Sequence, residues 1–302
     1  MMSIDLDLKY SLDASRKHAQ VLEDALAAAR AAVQDAQRFQ EHIPDLPSAR
    51  FPTLAAGSAA VALAVAAWGY ERGGLDLSGA KAGFCVGWAT LGTSFAGGLA
   101  LLAFFLASSK LTAFCEKEKQ LDEAHKIGGQ RNWLQVVANS APPAALLLAT
   151  RLAGARLGPR AVAACHVAVM AYMAGCCGDT WASEIGQLSD ERAYLPSGRE
   201  VRPGVNGGMT ILGTAASGVG GLYIGPHGTL AGLLGSYLDS VFGASLQFTG
   251  FNLNSRKVTS DFDNEDVGRI AGIPLLSNSG VNLLSNAVNS LAIAGMAYAW
   301  IL

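Results

Sequence analysis

Most of the chain consists of long apolar stretches separated by short polar ones. A helix that crosses a bilayer needs about 20 predominantly apolar residues. Windows of roughly this kind lie at residues 51–70, 82–109, 132–150, 161–178, 207–224, 229–250 and 281–302. The pattern predicts an all-α fold, a polytopic membrane helix bundle with about seven transmembrane helices over residues 53–302.

The first 52 residues have a different pattern. Apolar residues recur at three- and four-residue steps between Leu22 and Ile43, with charges on the other faces, which predicts an amphipathic helix over 12–43. Residues 1–52 are therefore expected to be a polar N-terminal extension. The helix could lie on the membrane surface or on its own domain, cover the site as a lid, or dock to a larger membrane complex.

Composition supports the membrane assignment. Only 15% of the residues are charged and 51% are hydrophobic, whereas soluble domains have about 25% charged residues. The net charge of −2 excludes the basic surface that nucleic-acid binding requires. The five cysteines contain no CxxC spacing, so neither a disulfide framework nor a zinc site is expected.

Charge in the loops predicts an orientation. Seven spans place the N-terminus on one side with loops 110–131, 179–206 and 251–280, and place residues 71–81 on the other. Lys and Arg are more numerous on the first side, which the positive-inside rule assigns to the cytoplasm or its equivalent. The expected location is an organellar inner membrane, of a plastid or a mitochondrion.

Carboxylates at membrane level are the first candidates for function, because a charge there is costly to insert. Asp239 lies inside the sixth window, and Asp179 ends the fourth, with Glu184 shortly after it. If these side chains converge at one end of the bundle, they offer the hard oxygen ligands that Mg²⁺ prefers.

Two glycine-bearing segments precede predicted helices, one around Arg131 and one at 204–208. A cation beside free N–H groups at a helix start suits a phosphate oxygen, and the combination with two aspartates suits phosphoryl transfer. The candidates for binding phosphate or substrate are Gln130, Asn132, Asn139, Asn206, Gly207, Gly208, Ser183, Gln247 and Asn282.

Five sequence blocks, in order, resemble one integral membrane family, which includes animal transmembrane protein 19 and the phytyl-phosphate kinases of tocopherol synthesis in plants and cyanobacteria. The blocks are Ser108-Ser109-Lys110-Leu111-Thr112, Gly128-Gly129-Gln130-Arg131-Asn132-Trp133, Gly178-Asp179-Thr180-Trp181-Ala182-Ser183-Glu184, Asn206-Gly207-Gly208 and Gly235-Ser236-x-x-Asp239-Ser240-x-x-Gly243-Ala244-x-x-Gln247. The resemblance covers about residues 53–302. It extends more weakly to dolichol kinase and the CTP-dependent phosphatidate cytidylyltransferases.

The resemblance implies a membrane-embedded kinase that phosphorylates an isoprenoid monophosphate, with a nucleoside triphosphate, expected to be CTP, as donor. Lys110, Arg131 and Asn206 would hold phosphates, and Asp179, Asp239 and Glu184 would hold Mg²⁺. An alternative is a non-catalytic accessory subunit of a large organellar membrane complex, which the added 12–43 helix favours. A transporter with an intramembrane acidic site is a third hypothesis, although no inverted repeat is visible.

Overall fold

The computed structural model describes residues 51–114, 129–154, 156–226 and 228–300. These ranges contain eight helices: α1 (Phe51–Glu71), α2 (Leu77–Thr93), α3 (Phe95–Ala113), α4 (Trp133–Ala153), α5 (Pro159–Gly186), α6 (Ile211–Ile224), α7 (Gly228–Leu246) and α8 (Asn278–Trp300). The amphipathic helix predicted over 12–43 lies outside the described residues.

The second apolar window, predicted as one span over 82–109, is two helices. Ser94 ends α2, where its N–H donates to Thr90 O (2.8 Å), and begins α3, where its hydroxyl accepts from Gly97 N (3.1 Å). The chain reverses here so tightly that a Cβ atom on Gly98 would lie 3.0 Å from Leu91 Cα. Hydropathy did not reveal this turn because the turn residues carry no charge.

The reversal brings four helix ends together, at what we call the site end of the bundle. The Asp76 N–H, just before α2, donates to Arg131 O (3.1 Å), and the Arg131 N–H donates to Gly74 O (3.1 Å). The Arg131 guanidinium reaches Ser109 Oγ, near the end of α3 (3.2 Å). The α1–α2 turn, the end of α3 and the start of α4 therefore share one end.

Far from the site end, the start of α5 meets the end of α8, where Arg160 donates to Tyr298 O (2.7 Å). With α2 and α3 antiparallel, α1 begins at this far end and the 72–76 turn lies at the site end. The seven-span prediction had placed the start of the first helix on the side of loop 110–131 and residues 71–81 opposite. Both placements are wrong, because they follow from the undivided second window.

Short strands at the site end make the all-α prediction incomplete. Their bounds are β1 (Ala193–Tyr194), β2 (Glu200–Val201), β3 (Thr249–Asn252), β4 (Val258–Thr259) and β5 (Val267–Ala271). β1 and β2 form an antiparallel hairpin, and β3 lies between β4 and β5 with both neighbours antiparallel. The sixth window, 229–250, therefore ends within a strand, whereas the fourth, 161–178, is too short because α5 continues to Gly186.

The centre of the bundle is α5, which packs against α3, α4, α6, α7 and α8. Glycines make the closest of these contacts: a Cβ atom on Gly178 would lie 2.6 Å from Gly232 Cα of α7, and one on Gly220 of α6 would lie 2.9 Å from Cys177 O. Small residues let helix backbones approach closely in membranes, and these glycines serve that purpose around α5.

Within the described part of the chain, α3, α4 and α5 are long and apolar enough to cross a membrane, and α6 is a shorter apolar helix. The described residues thus form a mostly helical bundle in which three helices have membrane-spanning character. The prediction of seven spans is not confirmed.

Candidate active site

A polar cavity of about 730 Å³ opens at the site end, between α3, α4, α5, α6, α7 and α8. Of the residues predicted from sequence to form a site, those that line it are Gln130, Arg131, Asn132, Asn139, Asp179, Ser183, Glu184, Asn206, Gly207, Gly208, Asp239, Gln247 and Asn282. Lys110 does not line the cavity and is exposed in the last turn of α3. The structure therefore brings together predicted residues from four of the five sequence blocks, as well as Asn139 and Asn282, with Lys110 as the exception.

The two aspartates face each other because two glycines let their helices touch. A Cβ atom on Gly235 of α7 would lie 2.7 Å from Gly175 Cα of α5. Asp179 and Asp239 each follow their glycine by four residues, one turn of a helix. The helices run in the same direction, so the carboxylates lie across from each other and interact electrostatically.

Asp239 is held by residues of α8. The Ser285 hydroxyl donates to Asp239 Oδ2 (2.9 Å), and the Asn282 amide, turned to donate, lies 3.2 Å from the same oxygen. In the described part of the bundle, no Lys or Arg forms an ion pair with Asp179 or Asp239. Among the described residues, the donors to Asp239 are thus neutral, and neither aspartate has a cationic partner.

Two buried asparagines of α8 contact the helices that carry the aspartate pair, α5 and α7. Asn289 donates to Ala171 O (3.1 Å) and Ala231 O (3.0 Å), joining α5 to α7. Asn286 packs against Gly175 so closely that a Cβ atom there would clash with its Oδ1. These side chains fix the spacing of the helices that carry Asp179 and Asp239.

Among the described residues that line the cavity, Arg131 is the only cationic one. Backbone hydrogen bonds to the α1–α2 turn hold it in place. Its guanidinium donates to Ser109 Oγ (3.2 Å) and lies 3.5 Å from Thr112 Oγ1. Burial lowers the pKa of the Arg131 guanidinium, and the nearby Glu184 carboxylate raises it. An arginine titrates far above neutral pH in any case, so Arg131 presents a fixed positive charge to the cavity.

Glu184 belongs to the Arg131 group and not to the aspartate pair. Its Oε1 accepts from Thr112 Oγ1 (2.6 Å). Across the described ranges, no three His, Cys, Asp or Glu side chains are grouped closely enough to hold a metal ion. A three-carboxylate site of Asp179, Asp239 and Glu184, as the sequence suggested, is therefore not formed.

The segment expected to start the fifth span is a loop, and α6 begins later, at Ile211, with Thr210 as its N-cap. Gly207 has φ +79° and packs on α7, where a Cβ atom would lie 2.7 Å from Ala244 N. The Asn206 amide donates to Phe248 O (3.3 Å). The loop thus presents backbone groups to the cavity from a position that only glycine can occupy.

Some predicted phosphate ligands already have structural partners. Asn132 is the N-cap of α4 and forms a capping box with Gln135, and the Asn139 amide donates to Gln135 O (2.9 Å). These residues line the cavity, but they also hold the helix start that positions Arg131.

Sequence reasoning assigned no role to Ser285, Thr112 or Gln135, all of which contact site residues. Thr112 and Gln135 stand within or beside the recognised blocks. Ser285 carries no local signal, since its contact with Asp239 joins two helices 46 positions apart in the chain.

The helical bundle and its polar cavity define a membrane protein with a polar site at one end, and comparison places it in a family. The pattern of the family "Integral membrane protein DUF92" matches residues 60–290. The chain therefore belongs to the DUF92 integral membrane protein family.

Two curated proteins illustrate the relationship. Protein PGR of Arabidopsis thaliana is 36% identical over 255 residues, which is 73% of this chain and 88% of that protein. An uncharacterized membrane protein of Synechocystis is 31% identical over 176 residues, which is 53% of this chain and 66% of the relative. No solved structure matches the fold significantly.

Proposed function

We propose that this protein is a membrane-embedded kinase that transfers a phosphoryl group from a nucleoside triphosphate to an isoprenoid monophosphate. The observation that carries the proposal is the aspartate pair: two facing carboxylates, without a protein counter-ion among the described residues, in a polar cavity that also contains Arg131. The resemblance of five ordered blocks to the phytyl-phosphate kinases and transmembrane protein 19 supports it.

In this reaction the phosphoryl group passes directly between the two substrates, so the protein itself takes little part in bond making. A terminal oxygen of the lipid monophosphate attacks the γ-phosphorus, the bond between γ-phosphorus and the β–γ bridging oxygen breaks, and a nucleoside diphosphate leaves. Catalysis is then mainly positioning and charge stabilisation. Arg131 supplies a fixed cation for phosphate oxygens, and the 204–208 loop lines the same cavity with backbone groups.

The donor set of the cavity fits Mg²⁺. This ion is usually held by one or two carboxylates together with substrate phosphates, and Asp179 and Asp239 are two carboxylates facing the same cavity. These two residues would hold the ion, with Ser285 and Asn282 orienting Asp239. When bound, Mg²⁺ would neutralise charge on the nucleotide phosphates.

The direct test is an assay of purified protein in detergent with a C20 isoprenoid monophosphate, Mg²⁺, and either CTP or ATP. We expect the diphosphate by mass spectrometry, with CTP the preferred donor, and its loss in Asp239→Asn. Asp261→Asn is the matched control, because Asp261 is exposed and outside the cavity. A folded wild-type protein that forms no diphosphate with either nucleotide would refute the proposal.

A further inference from the structure

A second cavity, apolar and about 100 Å³ in volume, lies between α1, α2, α3 and α4. Phe104, Arg131, Gln135 and Asn139 line both this cavity and the polar one. The two cavities are therefore neighbours, separated by these four residues. The lining is polar on the side of the aspartate pair and apolar on the other side.

Glycines in tight helix contacts differ from the glycine at position 83, which lines the apolar cavity. Gly69 and Gly98, near its edges, are in tight contact, since a Cβ atom on Gly69 would lie 2.8 Å from the Phe105 ring. At Gly83, which lines the cavity, a Cβ atom would meet nothing nearer than Leu75 Cδ1 at 3.7 Å. A methyl group would therefore fit at Gly83 without a clash, so close helix packing does not require glycine at this position.

The cavity also reaches the outer surface of the bundle. Val61, at the middle of α1, lines the cavity and is 47% exposed. The apolar cavity therefore lies between the polar cavity, with which it shares Phe104, and an exposed surface halfway along α1.

A buried hydroxyl without a partner stands where the two cavities adjoin. Ser108 lies one helical turn after Phe104, lines the apolar cavity and is 1% exposed. Its Oγ has no hydrogen-bond partner among the described residues. A buried polar group left unpaired is costly, so a ligand that supplies an oxygen here would be favoured.

We propose that the apolar cavity binds the first part of the hydrocarbon chain of a single-chain isoprenoid phosphate, whose phosphate lies in the polar cavity. The inference rests on the proposed function and adds the place of the chain and its exit. A cavity of about 150 Å³ binds benzene, so the present one accommodates about one five-carbon unit. The ester oxygen that joins this unit to the phosphate is then the acceptor for the Ser108 hydroxyl. The rest of the chain passes Val61 into the bilayer.

Photocrosslinking tests the location directly. The probe is a C20 isoprenoid monophosphate with a diazirine on its first isoprene unit, added to the full-length protein in lipid nanodiscs, and the labelled residues are identified by mass spectrometry. We expect labelling in α1–α4 around Val61, Val86 and Leu101, suppressed by excess unlabelled lipid. Labelling confined to the opposite wall, at Leu233 and Tyr237, or no competable labelling would overturn the inference.

A cavity-filling variant provides the matched measurement of affinity. Gly83→Leu should weaken binding of the C20 monophosphate at least tenfold, whereas Gly295→Leu, at a position with no atom within 4 Å of its Cβ, should not. Unchanged affinity in a folded Gly83→Leu protein would contradict the proposal.

The two proposals fail separately. Labelling in α1–α4 without diphosphate formation would refute the kinase and leave the chain-binding site standing. Diphosphate formation with labelling elsewhere would do the reverse.

Discussion

At the scale of the residue, the facing carboxylates are the most informative feature. Two like charges in a partly dehydrated site repel, and the donors to Asp239 in the described ranges are neutral. The arrangement is therefore unfavourable for stability alone and is expected to be retained for a cation or a phosphate-bound cation.

Asp239→Asn should separate stability from function. Removal of one carboxylate relieves the repulsion with Asp179, so we expect the variant to unfold about 2–4 °C higher than wild type in chelator, corresponding to about 1 kcal/mol for a domain of this size. Added Mg²⁺ should raise the melting temperature of wild type and not of the variant. A variant that is no more stable than wild type and remains active would contradict the metal role.

Arg131 and Lys110 should behave differently, although sequence blocks suggested both. Arg131→Lys keeps the charge but loses the fork that reaches Ser109 and Thr112, so kcat should fall by about 10²–10³-fold, as when a positioned donor is lost. Lys110→Ala, at an exposed position outside the cavity, should change kcat little. Steady-state kinetics of both variants, with melting curves to verify folding, decides the point.

At the scale of the element, glycine contacts determine where the carboxylates stand. Gly235→Ala would force a methyl group against Gly175 Cα, and overpacking of this kind costs about 1–3 kcal/mol. We expect a lower melting temperature and reduced activity, because α5 and α7 must separate. Gly295→Ala, which has free space, is the control, and an equally stable Gly235→Ala would show that the contact is not required.

Most elements of the membrane domain were predictable from hydropathy, but their ends and one turn were not. The break between α2 and α3 consists of one residue, Ser94, whose side chain caps α3. Hydropathy averaged over a window of about 20 residues does not resolve a single polar residue. The converse error occurred at the end of α7, where apolar residues continue into β3 and the window could not separate helix from strand.

The candidate site was largely predictable at the level of residue identity and not at the level of contacts. Asp179, Asp239 and Arg131 were identified from charge placement and sequence blocks. The grouping of Glu184 with Thr112 and Arg131, and the contact of Ser285 with Asp239, depend on which helices adjoin, and no local pattern encodes this.

At the scale of the whole molecule, the reversal at Ser94 determines which connections lie on the same side of the membrane, and this can be tested. Arg72, Ser197 and Gly158 are exposed, so each can be replaced by a single cysteine in a cysteine-free background. The structure predicts that Arg72→Cys and Ser197→Cys react from one side of sealed vesicles and Gly158→Cys from the other. Seven spans predict instead that positions 72 and 158 react together.

Three of the four helix connections at the site end are longer than every connection at the far end of the bundle. At the site end they are residues 72–76, 114–132, 187–210 and 247–277, whereas at the far end they are Ser94, 154–158 and 225–227. The three long connections join α3 to α4, α5 to α6 and α7 to α8. Because the polar cavity opens at the site end, a kinase built in this way would take its nucleotide from the compartment that this end faces. It would release the nucleoside diphosphate to the same compartment.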